Sequence, residues 1–177
     1  LKSITNIITV SNATRQSLVD KRHFDSKLNP IQVIHNGIDI EYSALDIGQI
    51  NLREKFDLND KILIGMVGRI EEYKGHDDLI EACSLISSDY LKKIRIVIVG
   101  SGEEHEISRL KKLASKLGLV ENICFTGYLP GSSFSLIRQF DLLASMTKDF
   151  EGFGLTIAEA MIVETSVIAT NVGAVAE

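Results

Sequence analysis

The sequence predicts an α/β domain built on a parallel sheet with helices on both faces. Two observations carry this. Short apolar, β-branched runs recur from residue 61 onward, such as ILIGMV at Ile62–Val67 and IRIVIV at Ile94–Val99. Stretches with helical spacing separate them. A strand that is apolar throughout is one buried on both faces, and strands alternating with helices are the pattern of βαβ units.

The elements follow in order. Residues 5–10 (TNIITV) read as a strand and 11–22 as a helix, with Ser11 or Asn12 as N-cap. A short strand at 31–34 ends in His35-Asn36-Gly37-Ile38-Asp39, where Asn-Gly is turn chemistry. Residues 40–60 are polar, with a short helix at 51–56. Then come a strand at Ile62–Val67, a helix at 77–87 with Asp77 and Asp78 in its first turn, and a strand at Ile94–Val99. A helix at 103–117 stops at Gly118, a residue suited to a left-handed helix end. Strand 122–126, helix 132–139, strand 141–145, helix 155–163 and strand 166–170 complete the series. The helix at 155–163 is apolar almost all round, which predicts burial on most faces.

Composition narrows the function classes. The chain has 177 residues, about 1.2 domains at ~150 residues each. Its 19 basic and 24 acidic residues give 19 − 24 = −5. That mild acidity excludes binding nucleic acid or anionic lipid through bulk charge. Hydrophobic residues at 45% exclude a disordered chain. Cys83 and Cys124 lack disulfide or metal spacing and read as buried thiols. No apolar run approaches the ~20 residues of a membrane span. Residues 1–10 are not expected to be a secretory signal. The start at Leu1, and a stop soon after a strand, lead us to expect a piece of a longer protein.

In open parallel α/β sheets, ligands bind beyond the C-terminal strand ends, so the loops after the strands matter most. After Val67 comes Gly68-Arg69-Ile70-Glu71-Glu72-Tyr73-Lys74-Gly75. Arg69 and Lys74 can together neutralise a diphosphate. Equally, they can pair with Glu71 and Glu72 as a solvated loop. After Val99 comes Gly100-Ser101-Gly102, which begins like a dinucleotide fingerprint. His105 replaces its third glycine, which disfavours NAD or FAD. No Gly-Lys-Ser/Thr stands here for a P-loop. The stretch Phe150-Glu151-Gly152-Phe153-Gly154-Leu155 opens the last helix. Its glycines permit close backbone approach, and a helix N-terminus favours phosphate. Glu159 is the single charged residue of that helix. Buried, it needs a partner: ligand hydroxyls, or a buried Arg or Lys with Glu151 left at the surface. His23, His35, His76 and His105 form no metal pair and read as surface or capping residues.

Taken together, these segments resemble the family 4 (group 1) retaining glycosyltransferases. The family pattern G-R-x4-K-G is met by Gly68-Arg69 and Lys74-Gly75. E-G-F-G-L and E-x7-E are met by Glu151–Leu155 and Glu159. His35–Asp39, Val99–Gly102, Phe125-Thr126-Gly127 and Val167–Thr170 match in order and spacing. The resemblance implies a Rossmann-like doubly wound sheet, the C-terminal half of the two-domain GT-B architecture. Residues 1–22 would be the last strand and helix of the acceptor domain. Residues 23–60 would be the connection and the strand leading in, and 61–177 the donor-binding domain, truncated at its C-terminal end.

The family's roles carry over as expectations. Arg69 and Lys74 hold the donor diphosphate, and Glu159 binds the ribose. Glu151 touches the donor sugar and stabilises the transition state, which makes Glu151, Arg69 and Lys74 the catalytic set. Gly152, Phe153, Gly154 and Leu155 offer backbone N–H groups. Gly68, Gly100, Gly127 and Tyr128 complete the donor site. No metal or cofactor is expected. The donor is a UDP, GDP or ADP sugar, and the acceptor is a glycan or lipid-linked molecule met through the other domain. The setting would be polysaccharide or lipopolysaccharide assembly in the cytoplasm, with peripheral attachment of the full-length enzyme to the membrane's inner face. The fragment itself is expected to bind but not transfer. A non-catalytic nucleotide-sugar module and a sugar-nucleotide epimerase of the same fold are the alternatives. The sequence departs from the pattern at three places. Ile162-Val163-Glu164-Thr165-Ser166 stands where the family has Ala-Cys-Gly-x-Pro. Gly173-Ala174-Val175-Ala176-Glu177 stands for Gly-Gly-x-Pro-Glu, and Ala144 for a frequent Pro.

Overall fold

The computed structural model describes residues 6–20, 30–39 and 50–177. Residue 5 of the first expected strand, residues 21 and 22 of the first helix and residues 40–49 of the polar stretch lie outside the described residues, as does His23.

Strand β1 (Ile7–Thr9), helix α1 (Asn12–Asp20) and strand β2 (Ile31–Val33) form a small parallel unit, with Ile7 opposite Ile31 and Thr9 opposite Val33. Residues 31–33 therefore lie in the two-stranded sheet with β1, not in the larger sheet. After α2 (Leu52–Lys55) come β3 (Ile62–Val67), α3 (His76–Ser84), α4 (Ser88–Leu91) and β4 (Ile94–Val99). Next are α5 (Glu104–Lys116), β5 (Ile123–Gly127), α6 (Ser133–Ile137), β6 (Leu142–Ser145), α7 (Leu155–Ile162) and β7 (Val167–Ala169). Short 3-10 turns at Glu72–Lys74, Val120–Asn122 and Gly173–Ala176, and helix α4, were not legible in the sequence. Each is too short for a periodic signal.

The larger sheet is all parallel in the order β5-β4-β3-β6-β7. The chain winds outward from β3 through β4 to β5, then returns to β6 beside β3 and winds the other way. This is the doubly wound Rossmann-like arrangement, with its topological switch point between β3 and β6. Strand alternation builds a core on each face. Leu63, Val97 and Val99, with Leu143 of β6, point to one side, where Leu136 and Ile137 of α6 and Ala160 of α7 cover them. Met66, Ile96 and Ile98 point to the other, under Leu79, Ile80 and Cys83 of α3 and Leu110 and Ala114 of α5. Each fully buried aliphatic side chain contributes about 1.5–3 kcal/mol. Gly65 keeps β3 passable on the first face: a Cβ there would meet the Phe140 ring at 2.2 Å.

Both cysteines are free thiols, Cys83 buried and Cys124 half-buried, and burial pushes both upward. Among the described residues, no helix is long and apolar enough to cross a membrane.

Candidate functional site

The switch point decides what meets what. Ile64 pairs with Leu142 and Gly65 with Leu143, so β3 and β6 end side by side. Their loops, Gly68–Gly75 and Met146–Gly154, then share one opening at the C-terminal edge of the sheet. Lys148 N–H donates to the Tyr73 carbonyl at 2.7 Å and stitches the two loops together. Lys148 Nζ also donates to Asp77 Oδ2 at 2.9 Å, which fixes the start of α3.

Lys74 and Glu151 meet across this opening, Nζ to Oε2 at 3.0 Å, with side chains 26% and 18% exposed. The Thr147 hydroxyl donates to Glu151 Oε2 at 3.3 Å, and Gly154 N–H to Oε1 at 3.3 Å. Burial works to raise this carboxyl. Lys74 outweighs it, with the Phe153 and Gly154 backbone N–H groups, and holds Glu151 below the usual range. Lys74 thus pairs with Glu151, 77 residues away, and not with Glu72.

Arg69 behaves otherwise. Its guanidinium pairs with Glu71 within its own turn, leans on the Tyr73 hydroxyl at 3.4 Å, and stays 72% exposed. For Arg69 the solvated-loop arrangement therefore holds, and for Lys74 the cleft arrangement does. The local reason is the 3-10 turn Glu72–Lys74, closed by Gly75 at φ 72. It turns Lys74 inward and leaves Arg69 at the rim. A Cβ on Gly75 would lie 2.0 Å from the Met146 carbonyl, so the two loops close only over glycine.

The opening between these loops has a volume near 370 Å³, lined among others by Gly68, Arg69, Lys74 and the run Glu151 to Leu155. Gly154, at φ 84, is the N-cap of α7 and brings no side chain of its own; the Glu151 carboxylate accepts its N–H. Leu155 and Thr156 in the first turn of α7 line the opening, which brings the positive end of the helix dipole to it.

A second opening of about 270 Å³ continues from Gly68 and Arg69 across Gly100 and Ser101 to Tyr128, Leu129 and Ser133. Gly100 N–H donates to the Gly127 carbonyl at 3.0 Å, and Gly68 N–H to Val99 at 3.0 Å. The ends of three strands thus lie flush. A Cβ on Gly100 would sit 1.7 Å from the Gly68 carbonyl. Tyr128 is exposed at the edge. Glu159, half-buried on α7, does not itself line either opening and reaches the second through Ser133. Burial raises its carboxyl, and a hydrogen bond from Ser133 partly offsets this. Its contact is the Ser133 hydroxyl; among the described residues no Arg or Lys pairs with it. The expected burial of α7 on most faces is corrected. Only Ala160 is fully buried, while Leu155 is 45% and Met161 70% exposed, because the helix forms a cleft wall.

Sequence reasoning missed several groups. Ser133, Thr147 and Tyr73 carry no motif that marks them. His76, expected at the surface or in a cap, is buried beside Lys74 and Glu151, around a water-sized space of about 30 Å³. Burial lowers its pKa against Glu106, Asp77 and a hydrogen bond to the Glu71 backbone, so the ring is held neutral. The signal available was its place directly after Lys74-Gly75.

The turn after α7 closes with regular hydrogen bonds although its residues depart from the family's pattern. Glu164 N–H donates to Met161 at 3.3 Å and Thr165 N–H to Ala160 at 2.9 Å, a Schellman ending. Glu164 stands at φ 60 where the family has glycine.

Comparison with known proteins agrees with this geometry. Residues 49–177 match the family described as Glycosyl transferases group 1. The D-inositol 3-phosphate glycosyltransferase of Rhodococcus jostii is 32% identical over 170 residues, 93% of this chain and 37% of that protein. The chain thus spans well under half the length of that relative. Anabaena HepE, solved in complex with UDP-glucose, is 25% identical with a TM-score of 0.82 over 96% of this chain and 46% of its own. A C-terminal domain of a group 1 glycosyl transferase from Francisella tularensis, LpcC, is 28% identical with a TM-score of 0.65. There the match covers 80% of this chain and 74% of that one. A doubly wound sheet, two ordered glycine-bearing loops meeting at its switch point and this match agree, and the chain belongs to the group 1 glycosyl transferases.

Proposed function

We propose that this chain is the donor-binding part of a retaining glycosyltransferase. It would move a hexose from a nucleoside-diphosphate sugar to a glycan or lipid-linked acceptor. The Lys74–Glu151 contact carries this reading: 3.0 Å apart, it places a cation and a carboxylate beside the N-terminus of α7. Lys74, that N-terminus and Arg69 turned from Glu71 neutralise the diphosphate. Such preorganised charge stabilises the leaving group as it departs. Glu151 lies on the sugar side. Glu159 and Ser133 face the ribose, and Tyr128 and Gly127 border the base. The cations and the dipole supply the positive charge, so the reading needs no metal. Retention has the acceptor attack on the face the leaving group vacates. The complex of Anabaena HepE with UDP-glucose supports a UDP sugar as the first donor to try.

A thermal-shift series with UDP, GDP and ADP tests this. Ligand at ~100 times its Kd stabilises by roughly 2.7 kcal/mol. No shift with any of the three at millimolar concentration sinks the reading. An EDTA wash is expected to leave the shift intact. The chain alone is expected to bind without transferring, because closure by a second domain excludes water. Measurable transfer by residues 1–177 alone would overturn that part.

A further inference from the structure

The contact between the small N-terminal unit and the donor cleft runs through a residue that the donor site does not use. Ser11 caps α1 by accepting from Thr14 N–H at 3.0 Å. The two preceding N–H groups are met from the far end of the sequence. Glu177 Oε2 accepts from Asn12 N–H at 2.9 Å and Asn12 Nδ2 at 3.2 Å, and Oε1 accepts from Ala13 N–H at 2.6 Å. A helix N-terminus with no acidic residue in its own first turn thereby gains a carboxylate. His35 Nε2 stands 3.8 Å from the same carboxylate.

The same turn touches Glu151. Glu177 closes the 3-10 turn Gly173–Ala176. Ala174 N–H donates to the Glu151 carbonyl at 2.8 Å. Gly173, at φ 58, is packed so closely that a Cβ would lie 2.1 Å from that carbonyl. From the other side, the Thr14 hydroxyl of α1 donates to the Gly152 carbonyl at 3.2 Å. The peptide units on and after Glu151 are therefore held by two anchors, and Glu177 ties the anchors to each other.

We infer that Glu177 is a positioning residue. It clamps α1 against the Gly173–Ala176 turn and, through Ala174 and Thr14, fixes the backbone that aims the Glu151 carboxylate at Lys74. The inference rests on the donor-site reading for its effect on transfer, but the clamp can be measured apart from transfer. Misplacing a catalytic group by an ångström costs on the order of a hundredfold in rate.

The test uses the full-length protein with Glu177→Ala and Glu177→Gln. Hydrogen exchange at residues 12–14 and 151–154 is expected to speed up about tenfold in Glu177→Ala, with β3 and β4 unchanged. With a UDP sugar, kcat is expected to fall at least about tenfold while the donor KM stays within about threefold. Glu177→Gln keeps one acceptor oxygen and is expected to fall between wild type and Glu177→Ala. Wild-type exchange at 151–154 in Glu177→Ala overturns the clamp, as does an unchanged kcat. A loss of UDP binding matching the loss of kcat overturns it too, since that reports general damage. If wild type binds no nucleotide, the donor-site reading fails, and the clamp stands or falls on the exchange data alone.

Discussion

Glu151 and Glu159 stand eight positions apart, belong to the same motif, and are driven in opposite directions. Glu151 lies where loops from β3 and β6 converge, and Lys74 with two backbone N–H groups outweighs burial to keep it charged. Glu159 lies one turn into α7 with the Ser133 hydroxyl, and burial drives it toward the neutral form. The first opening is therefore built around a preset ion pair. Glu159 stands behind the second opening, joined to it through Ser133, with burial working against its charge. The lesson is that carboxylates of one motif take their roles from the element facing them.

The sharpest way to break this contrast is Lys74→Ala. Glu151 then keeps a buried charge without its cation, which costs on the order of 1–3 kcal/mol of stability. The UDP-dependent thermal shift should vanish. An unchanged shift removes Lys74 from the diphosphate site. Glu159→Ala probes the other half and should weaken UDP binding by about tenfold, the scale of one hydrogen bond to a charged group. Titration calorimetry with UDP and 2′-deoxy-UDP makes it specific. Wild type should discriminate between them and Glu159→Ala should not; equal discrimination in both places the ribose elsewhere.

Titration compares the two carboxyls directly. Glu151 sits below its unfolded value, so its contribution to stability is present above the ordinary carboxylate range and fades as pH falls through its lowered value. Glu159 sits above its unfolded value, so its contribution is full at low pH and is lost as pH rises through the raised value. Carbon-detected NMR of the two carboxyls should find Glu159 titrating at the higher pH. Without ligand at neutral pH, Glu159→Gln should melt no lower than wild type; a lower Tm contradicts the strained-carboxylate picture. The smallest expected effect lies at the far end of α7. Glu164→Gly relieves a left-handed residue and should raise stability by about 1 kcal/mol in denaturant unfolding.

Much of the fold was legible because its signals are local. The strands at Ile62–Val67 and Ile94–Val99 have the predicted bounds, since an unbroken β-branched run admits little else. The turn after α7 was not legible: without the family's glycine, Glu164 still adopts the left-handed shape glycine would give, held by the Schellman bonds. The apolar character of α7 misled, because composition does not say whether an apolar face meets a core or a cleft.

The sequence by itself determined the order of strands and helices, the loops that end the strands, and the residue types those loops carry. These follow from periodicity and backbone propensity, which act over a few residues. The tertiary structure decided the partners. Lys74 faces Glu151 and Arg69 does not, Glu159 meets Ser133, and Glu177 reaches the start of α1 from 165 positions away. Charge pairing depends on distance in space, and here that distance is set by a sheet order that reverses between β3 and β6.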